Sequence, residues 1–411
     1  MLNTLYVQNY SVKDELYRDI CSWVSRSARG AVLLYDLNKV GALYEALTVM
    51  LPGVRNLFAV KSAPCPELLT FLDSLGCGFE IAGEGELALL QRLGIGTSAC
   101  LFTNPINSPE LIERCIRSGV KTFVADNLFE LHKYEPYRGQ CELVIRIAIR
   151  NHATRMDLSK KFGCAPEEAS ALLEAAGSRG LTVKGLSFHV GSNVTSSEKY
   201  VYALNVCHEL IREQRHHDLR LLDIGGGFPI FTDESPEDMT EFFAPVREAL
   251  ARFEGMDIVS EPGRFLSGPG GILAVRVMGK NVKNGKRWYY LNEGVYGAFS
   301  GKVFDYASYP VSVFGSGEER IYESVLAGPT CDSFDIIEED ILLPELEIGD
   351  VLLVHNIGAY SCASMTGFNG VEPCTVRASD DPDNPVIRHS RKDTPIMRRI
   401  YSEQLHARRG L

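Results

Sequence analysis

The chain has 411 residues and a formal net charge of −11, from 42 Lys and Arg against 53 Asp and Glu. Its hydrophobic content of 45% and charged content of 23% are ordinary for a soluble globular protein. The acidic balance argues against a nucleic-acid or anionic-membrane partner, because both require a positively charged face. We therefore expect no nucleic-acid and no membrane partner. The charge is compatible with cationic substrates but does not select one.

Cysteine usage and the amino-terminal sequence indicate a cytoplasmic protein. The 11 cysteines are scattered singly, with no CxxC pair and no Cys/His spacing of a zinc site. Reduced thiols and no bound metal are the expectation. The first 20 residues contain acidic side chains and no apolar run, so we expect no signal peptide. No apolar stretch approaches the roughly 20 residues needed to cross a bilayer.

From residue 31 to residue 261, short apolar runs alternate with segments of helical periodicity. The predicted strands are 31–37, 57–61, 78–82, 99–103, 121–125, 143–149, 183–190, 220–224 and 256–261. The predicted helices are 40–51, 66–75, 85–93, 109–118, 128–133, 166–178, 200–214 and 239–253. This alternation is typical of parallel βαβ units. Eight or nine units in about 230 residues favour a closed (β/α)₈ TIM barrel over an open sheet.

After about residue 265 the pattern changes to short β-rich runs separated by Gly-rich turns. The predicted strands there are 273–277, 287–291, 311–314, 351–354 and 375–378. They indicate a C-terminal antiparallel β-sandwich or barrel-like domain. The expected organisation is an N-terminal segment (1–30) that joins the β domain, a barrel (31–265) and the β domain (266–411).

The carboxyl ends of barrel strands face the active site, so polar residues at those positions are candidates for catalysis. They are Lys61, Glu80, Arg146, His189, Gly225–Gly227, Glu261 and Arg264. Lys61 follows four apolar residues, and partial desolvation there favours Schiff-base chemistry, although a lysine on the barrel lip is the commoner case. His189 in SFHVGS is, taken alone, more often a core residue than a catalytic one.

Two further features suggest an anionic ligand. Gly225–Gly227 follows a strand, and three glycines let backbone N–H groups approach an anion closely, although a plain tight turn is equally consistent. In SEPGRF, Glu261 could hold a protonated ring nitrogen and Arg264 a phosphate, or the two could form an ion pair across the turn. In the β domain, Cys331 and Asp332 in GPTCDS could act as a proton donor and a cation-binding acid, although an ordinary cysteine is the commoner case. Asp305 in VFDYA could also bind a cation, but surface aspartates are common.

Taken together, these residues resemble the fold type III decarboxylases that use pyridoxal phosphate (PLP), the ornithine decarboxylase group. The matching segments occur in order along most of the chain: FAVKS, GCGFEIAGEGEL, KKFG, GLSFHVGS, LLDIGGGFP, SEPGRF, NEGVYGAF, FDYA, GPTCDSFD and GAYSCASMTGFNG. Any one of them is a weak signal, whereas ten in order are specific.

The resemblance implies a role for each matching residue. Lys61 would carry PLP as a Schiff base, His189 would stack on its ring, and Glu261 would pair with the ring nitrogen. Phosphate and cofactor contacts would come from Glu80, Arg146, Ser192, Gly225, Gly226, Gly227, Gly263, Arg264 and Tyr360. Cys331 would return a proton after carbon dioxide leaves. The substrate would be bound by Asp305, Asp332, Tyr296, Phe304 and Phe368.

The family also implies a homodimer with shared active sites, in which Cys331 and Asp332 of one subunit complete the barrel site of the other. A basic amino acid is the expected substrate: ornithine, giving putrescine, or else lysine. Three departures from the family leave arginine or a related biosynthetic intermediate open. Glu80 stands where Asp is usual, Ser333 where Gly is usual, and Phe304 where Tyr is common. An amino-acid racemase of the same fold and an inactive homologue that binds a regulator are the alternatives.

Overall fold

The computed structural model describes residues 30–149, 158–214, 217–231, 236–313 and 321–378, together with residues 20, 22 and 24. The chain divides into two compact units. One contains the residues up to Val40 and those from Leu266 to Arg391, and the other runs from Gly41 to Phe265. The first division falls within helix α1 (Leu37–Met50), which follows strand β1 (Val32–Tyr35).

The second unit contains a closed eight-stranded barrel in which every neighbouring pair of strands is parallel. Its strands are β2 (Val54–Ala59), β3 (Gly78–Ile81), β4 (Leu101–Phe102), β5 (Thr122–Ala125), β6 (Glu142–Ile147), β7 (Val183–Phe188), β8 (Leu221–Asp223) and β9 (Asp257–Ser260). Six of them contribute to one buried aliphatic cluster: Leu57, Leu101, Val124, Val144, Leu221 and Val259. The predicted barrel is confirmed, and its strands are apolar runs because both of their faces are covered.

Helices separate the barrel strands along the chain. They are α2 (Pro66–Ser74), α3 (Glu84–Arg92), α4 (Pro109–Arg117), α5 (Leu128–Tyr134), α6 (Pro166–Ser178), α7 (Glu198–Glu213) and α8 (Pro236–Leu250), followed by α9 (Arg264–Gly270). Proline occupies the first turn of α2, α4 and α6, where its missing N–H costs nothing and its fixed φ suits a helix. The Ser108 hydroxyl caps α4 by accepting a hydrogen bond from the Leu111 N–H at 3.2 Å.

The other unit contains an eight-stranded sheet and the short helix α10 (Gly301–Phe304). Its later strands are β10 (Gly271–Lys283), β11 (Lys286–Leu291), β12 (Val311–Val313), β13 (Ile321–Ala327), β14 (Ile336–Pro344), β15 (Val351–His355) and β16 (Thr375–Arg377). The order β12-β15-β10-β11-β13-β14 is mainly antiparallel, but β11–β13 and β1–β16 are parallel pairs, so the sheet is mixed. Strands β13 and β14 were not predicted, because charged residues interrupt their apolar alternation.

Strand β1 belongs to this mixed sheet and not to the barrel, which corrects the placement of residues 31–37 as a barrel strand. Val32 pairs with Ala274 of β10 on one side and with Thr375 of β16 on the other. Ile20 and Val24, which are fully buried, pack in one cluster with Val32. A strand buried in either sheet is the same short apolar run, so periodicity alone could not assign it. The rest of the predicted N-terminal segment, apart from residues 20, 22, 24 and 30, lies outside the described residues.

Within the part of the chain that the structure describes, none of the helices is both long enough and apolar enough to span a membrane.

Candidate active site

The carboxyl ends of the barrel strands carry a group of polar side chains and a glycine turn, as the sequence predicted. The predicted residues in this unit are Lys61, Glu80, Arg146, His189, Ser192, Gly225, Gly226, Gly227, Glu261, Gly263 and Arg264. Lys61 contacts Glu80, and the glycine turn lies against His189 and the backbone of Glu261, so the strand ends converge. Parallel strands bring these positions together although up to about 200 residues separate them in sequence.

Lys61 is held by a buried carboxylate. It lies in a single 3₁₀ turn (Val60–Ser62) that directly follows β2, whereas the sequence predicted it as the last residue of the strand. Its Nζ donates to Oε2 of Glu80 at 2.7 Å, and the Lys61 side chain is 38% exposed whereas that of Glu80 is fully buried. The other oxygen, Oε1 of Glu80, accepts a hydrogen bond from the hydroxyl of Thr103. The Lys61 amine is therefore partly exposed, and it is oriented by Glu80, whose carboxylate is itself held by Thr103.

The imidazole of His189 lies against the glycine turn. Cβ atoms added to Gly225, Gly226 and Gly227 would each come within 3.7 Å of an atom of this ring, so the missing side chains make room for it. The Gly191 N–H donates to Nδ1 of His189 at 3.1 Å. Burial, and then the charges of Arg146 and Lys61, lower the pKa of His189 well below its usual range. The ring is neutral, with its proton on Nε2, and an uncharged flat ring is suited to stacking on another aromatic ring.

A second carboxyl pair lies beside the turn. Glu261 and Asp223 are almost fully buried and close enough to influence each other's ionisation, and Oδ1 of Asp223 accepts from the Gly225 N–H at 2.9 Å. Burial, followed by repulsion from Asp223 and Glu80, raises the pKa of Glu261 well above its usual range. Burial likewise raises the pKa of Asp223, to about 6.

The backbone of the glycine turn leaves two adjacent N–H groups available. Its three carbonyls accept from Glu261 N–H at 2.8 Å, Tyr200 O–H at 2.7 Å and Val194 N–H at 2.9 Å, and its first N–H donates to Asp223. Among the described residues, no acceptor is recorded for the N–H of Gly226 or of Gly227. A Cβ on Gly227 would collide with the carbonyl oxygen of Gly191, and its φ of +94° also favours glycine. The turn is thus a compact nest for an anion.

Tyr200 fixes the direction of these N–H groups. It is fully buried in α7, next to Phe228 at a ring-centroid distance of 5.4 Å, and its hydroxyl holds the Gly226 carbonyl. In a trans peptide the C=O and the following N–H point in opposite directions. Since the Gly226 carbonyl points to Tyr200, the Gly227 N–H must point away from it.

We expect Tyr200→Phe to weaken binding of a phosphorylated ligand by about 5-fold, which corresponds to one neutral hydrogen bond. Binding of pyridoxal, which lacks the phosphate, should change by less than about 2-fold, because the rest of the pocket is unaltered. Fluorescence titration of the cofactor-free protein with PLP and with pyridoxal measures both. Equal weakening of the two ligands would show a general loss of structure instead of a misaligned turn.

The remaining predicted barrel residues surround this group. Arg146 lies on β6 with its guanidinium 5.5 Å from the centroid of the Phe162 ring. Gly263 packs against Ser62, so that a Cβ there would come within 3.0 Å of the serine side chain. Arg264 is buried at the start of α9, and Ser192 follows β7 in a partly exposed loop.

In the other unit, three predicted substrate-binding residues form one cluster. The ring of Tyr296 stacks on that of Phe368 with centroids 4.3 Å apart, and the Tyr296 hydroxyl donates to Oδ2 of Asp332. The Tyr296 hydroxyl and the Phe334 N–H, which donates at 3.0 Å, keep the pKa of Asp332 below its usual range. Cys331 is exposed, and its N–H donates to Oδ1 of Asn369 at 3.2 Å.

The other predicted residues of this unit occupy separate local positions. Phe304 ends α10 with 59% of its surface exposed, and Asp305 follows it. Tyr360 has a positive φ of 54°, and its carbonyl accepts from the Ser364 hydroxyl at 2.9 Å. Phe304, Asp305 and Tyr360 all belong to the unit that contains the mixed sheet.

Sequence reasoning missed three residues that support the site: Thr103, Asp223 and Tyr200. Thr103 and Asp223 follow the rule that found the others, because each is a polar residue at the carboxyl end of a barrel strand. Tyr200 had no such signal, since a tyrosine in an amphipathic helix is usually a core residue.

The residues present fit a phosphorylated pyridine aldehyde. They offer an amine that can attach to an aldehyde, a flat neutral ring for stacking, a buried carboxyl pair for a ring nitrogen and a two-amide nest for a phosphate. This fold and site define a class: (β/α)₈-barrel enzymes that carry PLP on a lysine.

Comparison with known proteins narrows the class. Residues 37–268 match the family described as "Pyridoxal-dependent decarboxylase, pyridoxal binding domain". A lysine/ornithine decarboxylase of Selenomonas ruminantium is 35% identical over 342 residues, which are 82% of this chain and 86% of that relative. Antizyme inhibitor 2 of Xenopus laevis is 34% identical over 385 residues, 88% of this chain and 84% of that protein. The crystal structure of a lysine/ornithine decarboxylase from Vibrio vulnificus, complexed with cadaverine, has a TM-score of 0.84 and 37% identity, covering 90% of this chain and 99% of that one.

The chain belongs to the pyridoxal-dependent decarboxylase family. It is a PLP-dependent amino-acid carboxy-lyase, and the predicted fold, cofactor and type of reaction are confirmed.

Proposed function

We propose that the protein decarboxylates ornithine to putrescine, with lysine as its second substrate. The observation that carries the proposal is Asp332, an ionised carboxylate presented on a turn and held by the Tyr296 hydroxyl. A fixed anion of this kind recognises the distal ammonium group of a diamino acid. The Selenomonas and Vibrio relatives, both named lysine/ornithine decarboxylases, support the same substrates.

The barrel residues divide the chemistry among them. When bound, PLP acts as an electron sink for the bond that breaks at Cα. Lys61 would hold the cofactor through Nζ until the substrate amine replaces it. His189 would stack on the cofactor ring, and Glu261 would pair with the ring nitrogen. The N–H groups of Gly226 and Gly227, with Ser192, Gly263, Arg264 and Tyr360, would hold the phosphate, and Arg146 would contact the cofactor.

We assign the return of a proton to Cα to the Cys331 thiol. It is exposed, and its backbone is fixed by Asn369. Replacing it with alanine removes the acid but leaves the loss of carbon dioxide possible. In Cys331→Ala we expect less amine per carbon dioxide released, measured by quantifying both products. Cys362→Ala is a control, since that thiol contacts the Tyr35 hydroxyl at 3.6 Å in the same unit. A wild-type product ratio in Cys331→Ala would remove the assignment.

A substrate panel tests the proposed function. L- and D-ornithine, lysine, arginine and diaminopimelate are supplied to the PLP-loaded protein, and carbon dioxide and amine are measured. Ornithine should give the highest kcat/KM and lysine the next. Asp332→Asn should raise KM for both by roughly 10-fold or more, because it removes a charged hydrogen-bond partner. The proposal fails if arginine or diaminopimelate reacts best, or if Asp332→Asn leaves KM unchanged.

Two departures from the family bear on the choice of substrate. Ser333 follows Asp332 directly, in a place where glycine is usual, and we propose that its side chain narrows or redirects the region that receives the distal amine. Phe304 lacks the hydroxyl that a tyrosine would place beside Asp305. We propose that Asp305 and Phe304 line the same substrate-binding region as Tyr296, Asp332 and Phe368.

We infer that the working form is a homodimer with shared active sites. Large apolar side chains are exposed around the Cys331 turn, including Phe334 at 60% and Phe368 at 40%. Such a patch is suited to burial against a second copy of the chain. Mixing Lys61→Ala and Cys331→Ala chains, each of which is impaired in forming amine, should restore amine formation in heterodimers, because one intact site is formed. No recovery after subunit exchange, checked by sedimentation, would contradict shared sites.

Free thiols at all ten described cysteines support our proposal of a cytoplasmic location.

The match to antizyme inhibitor 2 raises one alternative, a protein that binds a regulator and lacks activity. Retention of the Lys61–Glu80 pair, the glycine nest and Glu261 favours the enzyme. Visible absorbance of PLP bound to the purified protein distinguishes the two.

A further inference from the structure

Thr103 lies at the carboxyl end of β4, one residue beyond the strand. Strands β3 and β4 pair with Glu80 opposite Leu101 and Ile81 opposite Phe102. The Thr103 N–H continues this ladder by donating to the Ile81 carbonyl at 3.0 Å. Strand pairing therefore fixes the backbone of Thr103, and this fixed backbone places the Thr103 hydroxyl beside Glu80.

Glu80 makes one contact with each carboxylate oxygen. Oε1 accepts from Thr103 and Oε2 accepts from Lys61 Nζ at 2.7 Å. Glutamate has one more rotatable bond than the aspartate usual at this position, so its carboxylate has more positions to choose from. A buried carboxylate with an unpaired oxygen is costly, and pairing both oxygens selects a single position.

We propose that Thr103 is a positioning residue for the reaction: its hydroxyl fixes the Glu80 carboxylate, and that carboxylate fixes the Lys61 amine where the cofactor attaches. The inference rests on the proposed role of Lys61. It also explains how a glutamate can serve at this position, because the contact between Thr103 and Oε1 holds the longer side chain in place.

The primary test is PLP affinity of the cofactor-free protein, measured by titration of visible absorbance. In Thr103→Val, which keeps the shape of the side chain and removes the hydroxyl, the PLP dissociation constant should rise about 10-fold. Thr103→Ser restores a hydroxyl on the same backbone and should stay within about 2-fold of wild type. Thermal unfolding of each variant without cofactor separates misplacement of Lys61 from loss of the fold. If Thr103→Val does not fold, Thr103→Ala takes its place.

A double-mutant cycle shows whether Thr103 acts through Glu80. In the Glu80→Ala background, Thr103→Val should change PLP affinity by less than about 2-fold, because no carboxylate remains to be positioned. Wild-type affinity in Thr103→Val, a Thr103→Ser variant as weak as Thr103→Val, or an equal loss in the Glu80→Ala background would each overturn the inference. The measurement needs no substrate. A wild-type protein that binds PLP but releases no carbon dioxide would therefore refute the proposed function while leaving this comparison valid.

Discussion

Replacing Lys61 by alanine should lower kcat by about 10³-fold or more, because it removes the side chain that we propose attaches the cofactor and moves protons beside it. The structure makes this a local effect. Lys61 is 38% exposed and contacts Glu80 at the pocket surface, so alanine removes one ion pair and little packing. The visible absorbance of Lys61-bound cofactor should disappear. The protein without cofactor should still fold, with a lower thermal midpoint, because Oε2 of the buried Glu80 loses its partner.

Lys184→Ala is a matched control for Lys61→Ala. Lys184 lies near the amino end of β7, away from the carboxyl ends of the strands, and pairs with Glu142 at 3.1 Å. An ion pair of this exposed kind contributes at most about 1 kcal/mol to stability, so activity and absorbance should remain. Retention of the wild-type spectrum in Lys61→Ala would show that another group carries the cofactor, and the assignment of the site would then be wrong.

The residues at the strand ends were predictable because the barrel topology alone determines which positions meet. Once alternation indicated parallel βαβ units, the carboxyl ends of the strands had to meet, and Lys61, His189 and Glu261 had to share one pocket. The sequence could not supply the contacts behind them. Tyr200 reaches Gly226 from a helix, and Thr103 reaches Glu80 because of the register of two strands. Such contacts depend on three-dimensional packing that periodicity does not encode.

The mixed sheet shows where local pattern stops being informative. Strand β1 pairs with β10, about 240 residues later, and reads like any buried barrel strand. Strand β14 alternates buried and exposed residues irregularly, with Glu338, Glu339 and Asp340 at its centre. Non-local pairing therefore prevented the correct placement of β1, and exposure on both faces prevented the prediction of β14.

Glu261→Gln is the second substitution with a large expected effect, and it separates charge from shape. Glutamine keeps the length of the side chain and can still donate a hydrogen bond to Asp223, so the local packing should survive. It cannot take a negative charge, so it no longer stabilises a proton on the cofactor ring nitrogen. Since that proton increases electron withdrawal from Cα, we expect kcat to fall about 100-fold, as when one preorganised electrostatic partner is removed.

The affinity for PLP should change far less in this variant, because the phosphate nest and Lys61 are intact. Glu142→Gln, at the amino end of β6, is the control for loss of a barrel carboxylate outside the pocket. The pH dependence of the bound-cofactor absorbance should shift in Glu261→Gln but not in Glu142→Gln, because only Glu261 belongs to the buried pair with Asp223. A wild-type kcat in Glu261→Gln would mean that the ring nitrogen needs no charged partner. The Asp223–Glu261 pair would then serve only to hold the glycine turn through Gly225.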